Sequence, residues 1–302
     1  MNERQQLSDS LKVREMQPFV HPRHLSPTVD YKTRCALEQF SNYTVVGYQP
    51  GLTDANRKLI QKALNGLILE RTYTARFSMA YLHGFTNSKC TMSNYSTRSS
   101  QSTMAAMGRL VNDLEDLEGK EGDEIIEACL ECKELRLNQG IILNTDNWHK
   151  RYYWSNQGGS HHMAVLCYEL QRQNKDWSPV VKISEYLLNV NSLDCLIGRV
   201  SIYVVMRDKE LYGYDQLFEV LPESLQNEAV WKRLGVSIPY TSHYLQPFKD
   251  YQLVFVDHGQ IYADIAESRL NEAVNAGVAM NFIDFLKGWV AEDDGIFAIP
   301  VQ

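Results

Sequence analysis

Residues 156–162 read Asn156-Gln157-Gly158-Gly159-Ser160-His161-His162 and concentrate the most legible chemistry of the chain. An aromatic stretch (Tyr152, Tyr153, Trp154) runs into two glycines, and apolar residues at helical spacing follow: Met163, Leu166, Cys167 and Leu170. Paired glycines permit backbone angles closed to other residues and let a ligand approach the main chain. Ser160 suits a helix N-cap. The first-turn N–H groups of a helix lie outside its own hydrogen-bond ladder, and the helix dipole adds positive potential there. Phosphate binds readily at such a place. His161 and His162 fall in that first turn and could donate to phosphate oxygens or shuttle a proton. Adjacent histidines on a helix diverge, so they make no metal site, which wants i,i+3 or i,i+4 spacing. The competing reading is a tight strand-to-helix turn capped by Ser160, with no ligand.

The polar run 144–151 sits just upstream. Lys150 and Arg151 could meet a phosphate, and Asp146 offers a hard oxygen ligand to magnesium; a solvated hairpin connection is the alternative for each. Cys129-Leu130-Glu131-Cys132 lacks the second pair that structural zinc needs. Glu124, Glu127, Glu131 and Glu134 surround it with charge that disfavours thiolate, so these cysteines read as core positions. Asp257-His258-Gly259 follows a strong strand candidate, where α/β proteins often carry sites. It reads either as an acid/base pair or as a turn with a solvated histidine. No G-x-S-x-G, P-loop Gly-Lys-Ser/Thr or H-E-x-x-H occurs, which removes serine hydrolase, P-loop and zincin chemistry.

The aromatic strand, the Gly-Gly-Ser-His-His turn, the helix and the strand after it resemble the ParB/sulfiredoxin-like superfamily over residues 137–206. Sulfiredoxins carry Gly-Gly-Cys-His-Arg at this turn, and ParB-type proteins carry Gly-Glu-Arg-Arg or Gly-His-Arg. The resemblance implies a turn that holds nucleotide phosphates, from ATP or CTP with magnesium. Gly158, Gly159, Ser160, His161 and His162 would face the phosphate, and in a catalytic protein His161 or His162 would supply charge or proton transfer. Ser160 stands where sulfiredoxins have cysteine, so thiol-based sulfinic acid reduction is not expected. His162 replaces the usual arginine, which removes a permanent charge and its fork geometry.

These residues must be positioned by elements. Residues 54–71 read as a helix, with Leu59, Ile60, Ala63, Leu64 and Leu67 on one face and Thr53 or Asp54 to cap it. Residues 104–117 and 124–137 read as further helices. Tyr73, Phe77, Tyr81 and Phe85 recur every fourth residue, which on a helix makes one aromatic stripe. Strands are expected at 141–143, 150–154, 180–183, 200–206, 252–256 and 296–299, and residues 263–290 read as mostly helix. Residues 93–103 are Ser/Thr-rich and read as a loop or a helix lead-in. Strands alternating with helices predict an α/β or mixed α+β fold.

The expected organisation is an extended or poorly ordered arm (1–35), a mainly helical region (36–136), a ParB/sulfiredoxin-like core (137–206) and a C-terminal α/β extension (207–302). Over 302 residues, 44% hydrophobic and 22% charged residues give material for a sizeable core. A net charge of −7 argues against a surface that grips nucleic acid as a whole. No apolar run reaches the ~20 residues that a membrane helix needs. Six scattered cysteines form no disulfide scaffold and point to a reducing, cytoplasmic setting for a soluble protein. The leading expectation is a nucleotide-binding protein that hydrolyses the nucleotide or transfers its phosphoryl group. Its rival is a non-enzymatic interaction or regulatory protein that acts on nucleic acid or a protein partner.

Overall fold

The computed structural model describes residues 2–12, 19, 51–85, 104–111, 114–136, 140–148, 150–206, 228–238, 251–288 and 298–300. The Ser/Thr-rich stretch 93–103, His149 and most of the 1–35 arm lie outside them. Helices and sheets are mixed, as the alternation of patterns predicts. The chain divides into two compact units. One draws on Leu25–Cys35, Leu69–Leu188 and Val290–Gln302, the other on Met1–His24, Ala36–Ile68 and Asn189–Trp289. The 137–206 segment is therefore shared, with 137–188 in the first unit and 189–206 in the second.

The first unit is built on a six-stranded sheet in the order β10-β1-β5-β3-β4-β2. Its strands are β1 (Ile68–Phe77), β2 (Gly84–Phe85), β3 (Ile142–Asp146), β4 (Tyr153–Trp154), β5 (Val180–Leu188) and β10 (Ala298–Pro300). Strand β3 runs antiparallel to β4 and parallel to β5, while β2 runs parallel to β4. Between them come α3 (Met104–Gly108), α4 (Asp123–Glu131), the short α5 (Lys133–Arg136) and α6 (Ser160–Arg172). Met163, Ala164, Leu166, Cys167 and Leu170 of α6 share a core with Ala75 and Phe77 of β1, Leu143 of β3, and Val181 and Ile183 of β5.

The structure departs from two expectations. The aromatic residues at every fourth position do not share a helix. Tyr73 and Phe77 lie on β1, Tyr81 ends a single 3₁₀ turn and is 52% exposed, and Phe85 is in β2. A spacing of four also keeps residues on one face of a strand, and the Thr-Tyr-Thr content of β1 suits a sheet. The helix expected over 104–117 stops at Gly108, and residues 115–117 form a separate 3₁₀ turn. Gly108 lies against the backbone of α6: a Cβ built there would stand 2.0 Å from the Ala164 carbonyl oxygen. Gly108→Ala must push two helix backbones apart. It should lose about 2–3 kcal/mol of stability in urea titrations followed by tryptophan fluorescence.

The second unit holds the sheet β7-β8-β6-β9. Its strands are β6 (Val200–Met206), β7 (Val236–Ser237), β8 (Tyr251–Asp257) and β9 (Ala279–Asn281). Every residue of β8 is buried, and it pairs antiparallel with β6 from Val200↔Asp257 to Met206↔Tyr251. Around the sheet come α1 (Glu3–Ser10), α2 (Asp54–Asn65), α7 (Glu228–Leu234), α8 (Ala263–Asn275) and α9 (Phe282–Lys287). Thr53 caps α2 as expected, its side chain accepting from the Asn56 N–H, but the helix ends at Asn65 and β1 begins three residues later. The 263–290 helix is likewise broken by β9. Part of the arm is ordered: Asn2 caps α1, and Leu7 and Leu11, one turn apart, are buried in this unit's core.

Candidate functional site

The glycine turn follows β4 directly. The Asn156 side-chain amide donates to the Gly158 carbonyl at 3.1 Å, and Gly159 takes the left-handed conformation with φ 68° and ψ 18°. Helix α6 begins at the next residue, and its cap makes no side-chain hydrogen bond. Ser160 is therefore the first helical residue, not the cap, and glycine supplies the entry angle that a serine cap would have set by hydrogen bonding. The Met163 N–H closes the first helical hydrogen bond onto the Gly159 carbonyl at 2.9 Å. Ser160 is buried and His161 half-buried.

His162 is already engaged. Its Nε2 lies 2.9 Å from Asp116 Oδ2, on the 3₁₀ turn 115–117. That hydrogen bond holds the Asp116 carboxyl below the ordinary range. The first turn of α6 thus has a carboxylate of the chain's own beside it, the charge that a helix N-terminus favours.

The remaining predicted residues lie elsewhere. The Ser155 N–H donates to the Ile142 carbonyl at 2.8 Å, which sets the turn at the Ile142 end of β3. Asp146 ends the same strand, and the Lys150 N–H donates to its carbonyl at 3.0 Å. Four residues of strand, at roughly 3.3 Å each, separate the two ends by about 13 Å. The structure brings Gly158, Gly159, Ser160, His161 and His162 together at one end. It places Asp146, Lys150 and Arg151 at the other. Asp146 is 1% exposed. A magnesium ion bound there does not fit a phosphate on the turn. Among the described residues no group of three His, Cys, Asp or Glu could hold a metal ion.

The far end contains a residue that the sequence reading passed over. His83 precedes β2, donates its N–H to the Tyr152 carbonyl at 2.9 Å, and accepts the Tyr152 N–H on Nδ1 at 3.3 Å. Accepting at Nδ1 leaves the ring proton on Nε2. Burial, reinforced by the Arg151 charge and opposed by Asp146, pushes this histidine down to about 4. The ring is neutral at physiological pH, with a fixed tautomer. Beside it, burial raises the Tyr152 and Tyr73 phenols, and Arg71 pairs with Glu185. A lone histidine before a glycine gives no local signal; only the pairing of β2 with β4 brings it to Arg151.

Two other motifs resolve into structural roles. Asp257 is fully buried. It accepts from the Thr53 N–H (2.8 Å), the Asn56 side-chain amide (2.7 Å) and the Gly259 N–H (2.9 Å), which ties β8 to the start of α2. His258 Nε2 donates to Ser201 Oγ at 2.8 Å, and Ser201 donates to Glu267 Oε1 at 2.8 Å. The carboxylate approaches the same ring nitrogen as the serine, at 3.5 Å, and not Nδ1. The relay of a serine hydrolase is therefore not formed. Cys129 is fully buried and its thiol is pushed up to about 12 by burial, as befits a core position.

Residues 75–273 match the sequence model of a family described as "Family of unknown function (DUF6685)". No curated protein and no solved structure matches the chain.

Proposed function

Because the chain belongs to that family of unknown function, we propose from its own geometry that it binds a nucleotide by its phosphates at the N-terminus of α6. The observation that carries this reading is the left-handed Gly159. It opens a 13-residue helix without a side-chain cap and puts two histidines in the first turn. Backbone N–H groups at Gly159, Ser160 and His161 and the Ser160 hydroxyl hold the phosphates. The resemblance to ParB/sulfiredoxin-like proteins favours ATP or CTP. His161 and His162 serve proton transfer or charge stabilisation, with Asp116 orienting the His162 ring. Hydrolysis or phosphoryl transfer would then rest on positioning and charge stabilisation. A divalent ion enters with the nucleotide, since Asp146 lies at the far end of β3.

One observation supports a second reading. Asp116 already gives α6 a negative partner, so the turn can be complete without a ligand, in a protein that acts on nucleic acid or a protein partner. A thermal-shift series with ATP, CTP, GTP and UTP, with and without magnesium, separates the two. A site filled at a hundred times its dissociation constant gains about 2.7 kcal/mol. The expected result is a shift with one nucleotide that disappears in Ser160→Ala and His161→Ala. No shift with any nucleotide leaves the second reading.

A further inference from the structure

We infer that the Asp146 end of β3 carries a separate oxyanion site, in which Arg151 and the Nε2–H of His83 grip a phosphate monoester or a carboxylate. This site does not depend on the glycine turn, which stands at the other end of the strand.

Three observations support it. Arg151 is half-buried, yet among the described residues its side chain makes no hydrogen bond and no ion pair. A guanidinium partly withdrawn from water and paired with no carboxylate is costly, and an anionic ligand supplies the missing partner. His83 spends Nδ1 on the Tyr152 N–H and keeps Nε2–H as a donor, with no acceptor for it among the described residues. The two side chains are close enough for the Arg151 charge to act on the imidazole. Finally, the cluster lies at the carboxyl ends of the parallel pair β3 and β5, whose last paired residues are Asp146 and Tyr186. Ligands of α/β sheets collect at such ends.

The donor set defines the ligand. Arginine presents a planar fork that matches two oxygens of a phosphate or carboxylate, and a neutral imidazole adds one directed donor without adding charge. Arg151 and Lys150 supply the positive charge at this end and Asp146 the nearest negative charge, so an anion is favoured over a cation. Among the described residues, Tyr152 and the Tyr73–Glu185–Arg71 group make up the other titratable surroundings. A ligand anion offsets the repulsion between Arg151 and a protonated His83, so binding must pull the His83 titration upward.

Nitrogen-15 NMR of the histidine rings in the full chain tests this, with sulfate as the probe and chloride at matched ionic strength as the control. Sulfate keeps its charge across the titration range of the ring. Saturable movement of the His83 signals is expected, with the ring titrating about one unit higher when sulfate is bound, equivalent to about tenfold tighter binding to the protonated form. Arg151→Gln should weaken the response at least about tenfold, as the loss of a charge-assisted pair requires. Arg151→Lys should restore part of it, and Ser160→Ala should leave it intact. Methyl phosphate and acetate, compared at neutral pH, then show which oxyanion the site prefers. The inference is overturned if sulfate moves the His83 signals no more than chloride does, or if the movement survives Arg151→Gln in a protein whose other signals are unchanged.

Discussion

Asp257→Ala is expected to cost about 3–5 kcal/mol of stability, because three donors, one of them the buried Asn56 amide, lose a buried charged acceptor together. Those donors are the Thr53 N–H, the Asn56 side-chain amide and the Gly259 N–H, at 2.7–2.9 Å from a carboxylate with no exposed surface. A carboxylate accepts more strongly than a neutral group, and an orphaned buried donor costs about 1–3 kcal/mol. Asp257→Asn separates charge from shape. Its one oxygen can keep the Asn56 and Gly259 bonds while its NH₂ faces the Thr53 N–H, so roughly half of the loss should return. Urea titrations of the three proteins read this directly. A loss below about 1 kcal/mol in the alanine variant would mean that water replaces the carboxylate, and that α2 is held by its apolar face instead.

Acid should destabilise the protein through His83 more than through an ordinary histidine. The unfolded chain protonates this ring near its usual 6.5, while the folded protein resists until about 4. Between those values the unfolded state binds more protons, so stability falls as pH drops through that window and levels off below it. At 1.36 kcal/mol for each unit, the full loss is about 3 kcal/mol. His83→Gln keeps an acceptor for the Tyr152 N–H but cannot titrate. Between about pH 7.5 and pH 4 the wild type should lose about 3 kcal/mol more than the variant in matched urea titrations. Equal losses in the two proteins would show that the folded ring takes up its proton as easily as the unfolded one.

Much of the fold was legible where the signal is local. Thr53 with the apolar periodicity of residues 59–64 marks α2, and the apolar runs at 200–206 and 252–256 become the paired strands β6 and β8. The turn after Trp154 and the helix after it are also where the residues put them. The failures have physical causes. A four-residue spacing fits both a helix and one face of a strand, so Tyr73 and Phe77 were ambiguous until β10 and β5 flanked β1. Ser160 has the chemistry of a cap, but Gly159 at φ 68° already turns the chain. Asp146, Lys150 and Arg151 lie near the turn in sequence, but β3 and β4 fold back and separate them from it. His83 and Asp116 acquire partners only through contacts 69 and 46 residues away, which no local pattern reports.

The way the two units share the chain also sets a timetable for synthesis. Asn56 and Asp257 are 201 residues apart. At about 5–20 residues per second, α2 leaves the ribosome roughly 10–40 s before the carboxylate that anchors its start. Strand β1 waits longer still, because the register Ala75↔Pro300 to Phe77↔Ala298 closes only with β10. During that interval β1 offers an unpaired edge on a nascent chain, the kind of surface on which chains aggregate. Neither unit can be excised by a single cut, and a fragment that stops before β10 leaves that edge open permanently.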